Sequence, residues 1–172
     1  MRHFLTFLTI IAAALLVTSA NSQVRDARPD EAAFPIKKGF ARIIDGDTMS
    51  VQDRNIRLYG IDAPERYQTC SRDGVEYWCG FEATNALRKI VRGRSVVCVV
   101  RGEDRHWRYI AICSVDGIDI GREMVRRGWA VAYTRYSKDY IAAAAAAKAG
   151  GLGVWRGDFT MPWVWRNKER RK

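Results

Sequence analysis

Ile44-Asp45-Gly46-Asp47-Thr48 and Ile56-Arg57-Leu58-Tyr59-Gly60-Ile61-Asp62-Ala63-Pro64-Glu65 are the two segments on which the reading of this chain turns. Asp45-Gly46 is a hairpin-turn pair between the β-rich runs 40–44 and 48–52, and Asp53-Arg54-Asn55 supplies the next turn, into 56–61. Three antiparallel strands in a meander follow from that pattern. Alone, an Asp-Gly pair is only a turn and Arg57 only a surface arginine. Here, however, Asp45, Asp47, Asp62 and Glu65 all fall at strand ends, where rigid neighbours can hold the hard oxygen ligands that Ca²⁺ or Mg²⁺ requires. One geometric problem stands in the way. Strict alternation puts Arg57 and Asp62 on opposite faces of one strand, so either Asp62 lies beyond the strand end or Gly60 hosts a bulge.

Outward from this stretch, 95–101 and 108–115 read as two further strands joined by a hairpin-like connection. If Cys98 faces Cys113, Val100 pairs with Ala111 and the tip falls between Glu103 and Arg108; a facing non-hydrogen-bonded pair lies within disulfide reach. Cys70 and Cys79, a short loop apart, form the second expected disulfide. Helical patterning covers 80–91, 120–127 and 138–148, the last with six consecutive alanines from Ala142, and Gly93, Gly128 and Gly150 punctuate the ends. Five short strands and three helices give an α+β domain built on a small barrel or a curled sheet.

A chain of 172 residues can bury one ordinary core. Its start reads as an export signal: Arg2 and His3, an apolar run over 4–17, then small polar residues, with cleavage after Ala20 or Ser22. Residues 23–38 read as a linker, 39–166 as the domain and 167–172 as a basic tail with a frayed, solvated end. Removing residues 1–22 takes away Arg2 and no acid, leaving 28 basic against 19 acidic residues, a net charge of +9. Such an excess favours polyanions, and its Arg-rich make-up suits bidentate pairing with phosphate. An even cysteine count after an export signal agrees with an oxidising compartment, periplasmic or extracellular.

The two opening segments, as D-G-D-T and R-L-x-G-I-D-A-P-E, together with Asp104-Arg105-His106-Trp107-Arg108 and Pro162-Trp163-Val164-Trp165-Arg166, resemble the thermonuclease family, whose type member is staphylococcal nuclease. The resemblance runs in order from Phe40 to about Arg166. It implies a five-stranded OB-type β-barrel with three helices and a calcium-dependent nuclease activity on DNA or RNA. By it, Asp47 and Asp62 would ligate Ca²⁺ through carboxylates, Ala63 would add its backbone carbonyl, and Asp45 would hold a water on the metal. Glu65 would be the general base, while Arg57 and Arg108 would grip the phosphate. One departure is visible: Trp107 stands where the family usually has glycine, at a position that often takes positive φ.

These roles are also what the chemistry asks for. A phosphodiester repels nucleophiles with its own charge, so a site must neutralise that charge and deliver a deprotonated water. Pro64 restricts Ala63 to extended backbone and so fixes the turn between ligand and base. Trp129, Trp155, Trp163 and Trp165 read as core and C-terminal clamp rather than as base-stacking platforms. The competing readings are an OB-like module that grips nucleic acid without cutting it, and a disulfide-braced envelope protein. A degenerate site would have lost carboxylates first, and here four stand with both arginines. The expected protein is a monomeric nuclease with no stable membrane association once its signal is removed.

Overall fold

Alternation of exposed and half-buried residues begins at Ile36, and a computed structural model, which describes residues 35–171, shows a continuous strand from there. In chain order the elements are β1 (Ile36–Ile43), β2 (Thr48–Val51), β3 (Arg54–Leu58), β4 (Ile61–Asp62), β5 (Cys70–Arg72), β6 (Val75–Tyr77), α1 (Cys79–Val91), β7 (Ser95–Glu103) and β8 (Tyr109–Val115). They are followed by β9 (Ile118–Asp119), α2 (Ile120–Arg126), β10 (Val131–Ala132), α3 (Ile141–Ala149), a 3₁₀ turn (Gly153–Arg156) and α4 (Pro162–Glu169).

The meander β1-β2-β3 is extended by β7 and β8 in the order β3-β2-β1-β7-β8, all antiparallel. A parallel pairing of β3 with β8, through Ile56 with Tyr109 and Leu58 with Ala111, closes the ring. Of the two closures left open by periodicity, the protein therefore adopts the five-stranded OB-type barrel. Inward-facing Met49, Val51, Ile56, Leu58, Val96, Val100, Ala111 and Val115 fill it, and Leu87 and Val91 of α1 with Met124 and Val125 of α2 complete the core. Each such aliphatic, removed from water, contributes about 1.5–3 kcal/mol.

The β7–β8 register is the expected one, Cys98 opposite Cys113 and Val100 opposite Ala111, until an irregularity at Arg101 moves it to Gly102 opposite Ile110. Both expected disulfides form: Cys98–Cys113, Cα atoms 4.0 Å apart inside the barrel, and Cys70–Cys79, 5.6 Å apart, tying the β5–β6 hairpin to the start of α1.

Three boundaries need correction. The stretch read as linker, 23–38, ends in strand: Ile36, Lys37 and Lys38 pair with Val99, Cys98 and Val97, because the long edge of β7 offers them hydrogen-bond partners. To the three expected helices, found at α1, α2 and α3, α4 adds a fourth. It takes up the first half, 167–169, of what was read as the basic tail 167–172, starting on Pro162 at a position where a missing N–H costs nothing. The expected signal, 1–22, lies outside the described residues.

Candidate active site

The site lies where the β1–β2 turn, the end of β3 and the strand β4 meet. Leu58 ends β3 and donates its N–H to the carbonyl of Asp47 at 2.8 Å, so the two motifs are stitched together by backbone. Tyr59 and Gly60 then turn the chain, with Gly60 at φ 72, and β4 starts afresh against β10, pairing Asp62 with Val131. Asp62 thus lies beyond the end of β3, and Gly60 makes a turn rather than a bulge. A side chain at Gly60 would be strained by that φ and would crowd Ser137 and Tyr140 at 2.9 and 3.0 Å.

That turn brings Arg57 and Asp62 to one side. Arg57 Nη2 donates to Asp62 Oδ1 at 2.6 Å and Nη1 to Asp47 Oδ1 at 2.9 Å. Asp47 also receives Thr48 Oγ1 on Oδ1 and the backbone N–H of Ala63 on Oδ2, both at 3.0 Å, and Asp45 Oδ1 receives the N–H of Asp47 at 3.0 Å. Asp45, Asp47, Asp62, Ala63 and Arg57 therefore lie together at one end of the barrel.

Glu65 is placed by a loop that rests on the first turn of α1. Gly80 makes this possible: a Cβ there would sit 1.7 Å from the carbonyl oxygen of Glu65. Gln68, fully buried, holds the loop from inside, with its side-chain oxygen accepting from Glu65 N–H at 3.2 Å and its Nε2 donating to the Thr160 carbonyl at 2.6 Å.

Two site residues were not anticipated. Gln68 carries no local signal. Arg166, the last residue of the expected domain and given no role there, comes from α4 and grips Asp62 with both ends of its fork, Nη1 to Oδ1 at 2.9 Å and Nη2 to Oδ2 at 2.8 Å. Its Nη1 also donates to Glu65 Oε1 at 2.5 Å. Arg166 lay within the last and weakest of the resembling segments, which was the only hint of its position.

Arg108 stands at the rim. Its Nε and Nη2 both donate to Asp104 Oδ2, at 2.9 and 2.7 Å, and Nη1 lies 3.5 Å from Thr48 Oγ1, itself bonded to Asp47. Asp104 Oδ1 meanwhile accepts the N–H groups of His106 and Arg108, closing the hairpin tip. Trp107 takes the left-handed conformation expected for glycine, at φ 59, and Arg108 is turned onto Asp104, approaching the site only through Thr48.

The electrostatics follow from burial. Burial, with the Asp47 carboxylate beside it, pushes Asp45 up to about 7. Burial also raises Asp62 and Glu65, against the opposing pull of Arg166. Asp47 above all, then Asp62, holds Arg57 protonated beyond its ordinary range. Burial works against the charge of Arg166, but Asp62 and Glu65 outweigh it and raise it too. At the rim, burial alone would raise Asp104, and its bonds from Arg108 prevail to lower it.

The donor set of Asp45, Asp47, Asp62 and the Ala63 carbonyl is chemically that of a hard divalent cation, and crowding that pushes Asp45 upward is what such a cation would relieve. Among the described residues, no three Asp, Glu, His or Cys side chains are gathered closely enough to hold a metal ion as they stand. Arg57 bridges Asp47 to Asp62, and Arg166 bridges Asp62 to Glu65.

Clustered carboxylates and arginine forks at one end of a closed OB-type barrel offer the charge neutralisation that phosphodiester hydrolysis requires. The model of the staphylococcal nuclease homologue family matches residues 55–157, and the chain belongs to that family. It is 37% identical over 129 residues to the succinoglycan biosynthesis protein ExoI of Rhizobium meliloti (strain 1021), covering 73% of this chain and 67% of that protein. It is 32% identical over 136 residues to an uncharacterized endonuclease of Escherichia coli O157:H7, covering 74% and 83%. A probable staphylococcal-like nuclease, CAN1, of Oryza sativa subsp. japonica is 33% identical over 128 residues, which are 73% of this chain but 36% of the rice protein. The protein is a nuclease of the hydrolase class.

Proposed function

We propose that the protein is an exported, calcium-dependent nuclease that hydrolyses phosphodiester bonds in DNA or RNA at the Asp45–Glu65 site. The observation that carries this reading is the convergence of four carboxylates and Arg57 from two sequence motifs onto one end of the barrel. Asp47 and Asp62, with Asp45 and the Ala63 carbonyl, would hold Ca²⁺, which when bound offsets charge on the phosphodiester and makes water easier to deprotonate. Glu65 takes the proton from the attacking water. Its burial raises it from its ordinary value, against the pull of Arg166, the direction that makes a carboxylate a better base. Arg57, pinned between Asp47 and Asp62 and firmly protonated, presents fixed positive charge to the phosphate, and Arg108 adds a second donor from the rim. Two disulfides support an oxidising compartment, hence a periplasmic or secreted protein matured by removal of residues 1–22, and nothing in the proposed reaction needs more than a monomer.

Glu65→Gln keeps size and most hydrogen bonding but cannot take the proton, so kcat should fall by roughly 10²–10⁴ while nucleic-acid affinity changes little. Arg57→Ala should lower both, because its charge is used in ground and transition states. Turnover and affinity measured on the two variants check this, and a Glu65→Gln protein cutting at the parent rate would remove Glu65 from the mechanism.

A further inference from the structure

Asp62 is fully buried and nearly saturated. Of about four lone-pair positions on a carboxylate, Oδ1 spends two on Arg57 and Arg166, and Oδ2 spends one on Arg166. The same guanidinium extends to Glu65, so one flat cation covers both the proposed ligand and the proposed base. A divalent cation drawing on Asp62 would meet that positive charge at contact distance in a water-poor site, where like charges repel strongly.

We propose that Arg166 is an exchangeable internal cation: it occupies the oxygens of Asp62 that a divalent metal needs, covers the base Glu65 with the same fork, and yields Asp62 when the metal binds. The inference rests on the metal-dependent reading above. Arg166 is better placed to yield than Arg57. Arg57 sits in a barrel strand with its side chain 17% exposed, and moving it off Asp62 would also disturb its pair with Asp47. Arg166 is 28% exposed and comes from an eight-residue helix without a side-chain N-cap. That helix is held to the domain by the stacking of Trp163 on Tyr133, centroids 5.4 Å apart, and by the Gln68–Thr160 bond just before it. A long side chain on such an element can leave its partner without unfolding anything else. Arg166 is thus a positioning residue, and the proposal makes a prediction opposite in sign to that of a purely structural ion pair. Losing a structural pair would loosen the acidic site and weaken metal binding; losing a competitor would tighten it.

The test is calorimetric titration of Ca²⁺ into the disulfide-bonded protein and its Arg166→Gln, Arg166→Lys and Lys168→Gln variants. The last removes the same charge from the same helix at an exposed position. Removing a charge-assisted pair that opposes the metal should tighten Ca²⁺ binding roughly ten- to hundredfold in Arg166→Gln, less in Arg166→Lys, and by less than about twofold in Lys168→Gln. In the parent protein, the Arg166 side-chain nitrogen signal, assigned by its loss in Arg166→Lys, should shift as Ca²⁺ saturates. Unchanged or weaker binding in Arg166→Gln, equal tightening in Lys168→Gln, or a stationary Arg166 signal would overturn the inference. If Arg166→Gln fails to fold, the lysine variant and the parent signal decide. No Ca²⁺ binding by any of the proteins would defeat the metal-dependent reading as well, whereas normal parent binding without tightening would defeat this inference alone.

Discussion

Trp107 holds a backbone angle, φ 59, that costs an ordinary L-residue about 1–2 kcal/mol, and with 80% of its surface in solvent it gains little by packing. Trp107→Gly should therefore raise stability by about 0.5–1 kcal/mol after allowing for glycine's extra freedom in the unfolded chain. The urea midpoint would rise with an unchanged slope, and a lower midpoint would show that Trp107 makes a contact that outweighs its strain. The angle itself was foreseeable from the resemblance, which put glycine there. Most of the site was legible on the same terms, since Asp45, Asp47, Arg57, Asp62 and Glu65 lie within one short stretch whose turns dictate that their ends meet. Arg166 and Gln68 were not, because their partners lie 104 and 92 residues away and nothing local records a contact of that range. Nor could alternation alone decide how Arg57 and Asp62 come together: that depends on Gly60 turning the chain, a backbone choice that its residue type permits but does not require.

Among the elements, α2 shows how its short length is supported. Asp119 caps it, accepting from the N–H of Arg122 at 2.9 Å and from the Tyr140 hydroxyl at 3.0 Å. One turn in, Glu123 binds Arg126 and Arg127, and the bonds from Arg126 lead in lowering it to about 2 from an ordinary 4.5. Because the folded value lies below the unfolded one, this contribution is present above about pH 4.5 and is lost as pH falls towards 2. With Arg126 largely exposed, it amounts to about 1 kcal/mol. Glu123→Gln should lower the melting temperature at pH 7 and progressively less below pH 4.5; a difference that stays constant with pH would show that the ion pairs contribute nothing. The strands were the most legible elements, since turn chemistry and one cross-strand cysteine pair were enough to set the β7–β8 register as far as Val100. α4 was missed because Pro162-Trp163-Val164-Trp165 has no helical period and is bulky and apolar, which reads equally well as a clamp. β1 was begun too late because its first residues, Ile36 to Lys38, take strand form only by pairing with a strand about sixty residues on.

At the level of the whole molecule, a closed barrel of modest size is braced by two disulfides of different kinds, one between the neighbouring strands β7 and β8 and one joining the β5–β6 hairpin to α1. Each should contribute about 2–4 kcal/mol, so reduction should lower the melting temperature by roughly 10 °C or more. Equal melting with and without reductant, or four free thiols by mass spectrometry of the purified, unreduced protein, would contradict this. The same scaffold holds a cluster of acids within a chain of strong net positive charge, and such an excess favours the approach of a polyanion. On the proposed function this site cuts phosphodiesters and needs calcium to do so. Purified protein incubated with single-stranded DNA in calcium, then in excess chelator, should cleave with calcium, stop in chelator and recover when calcium is restored. Undiminished cleavage in chelator, or binding without cleavage in both, would rule that function out.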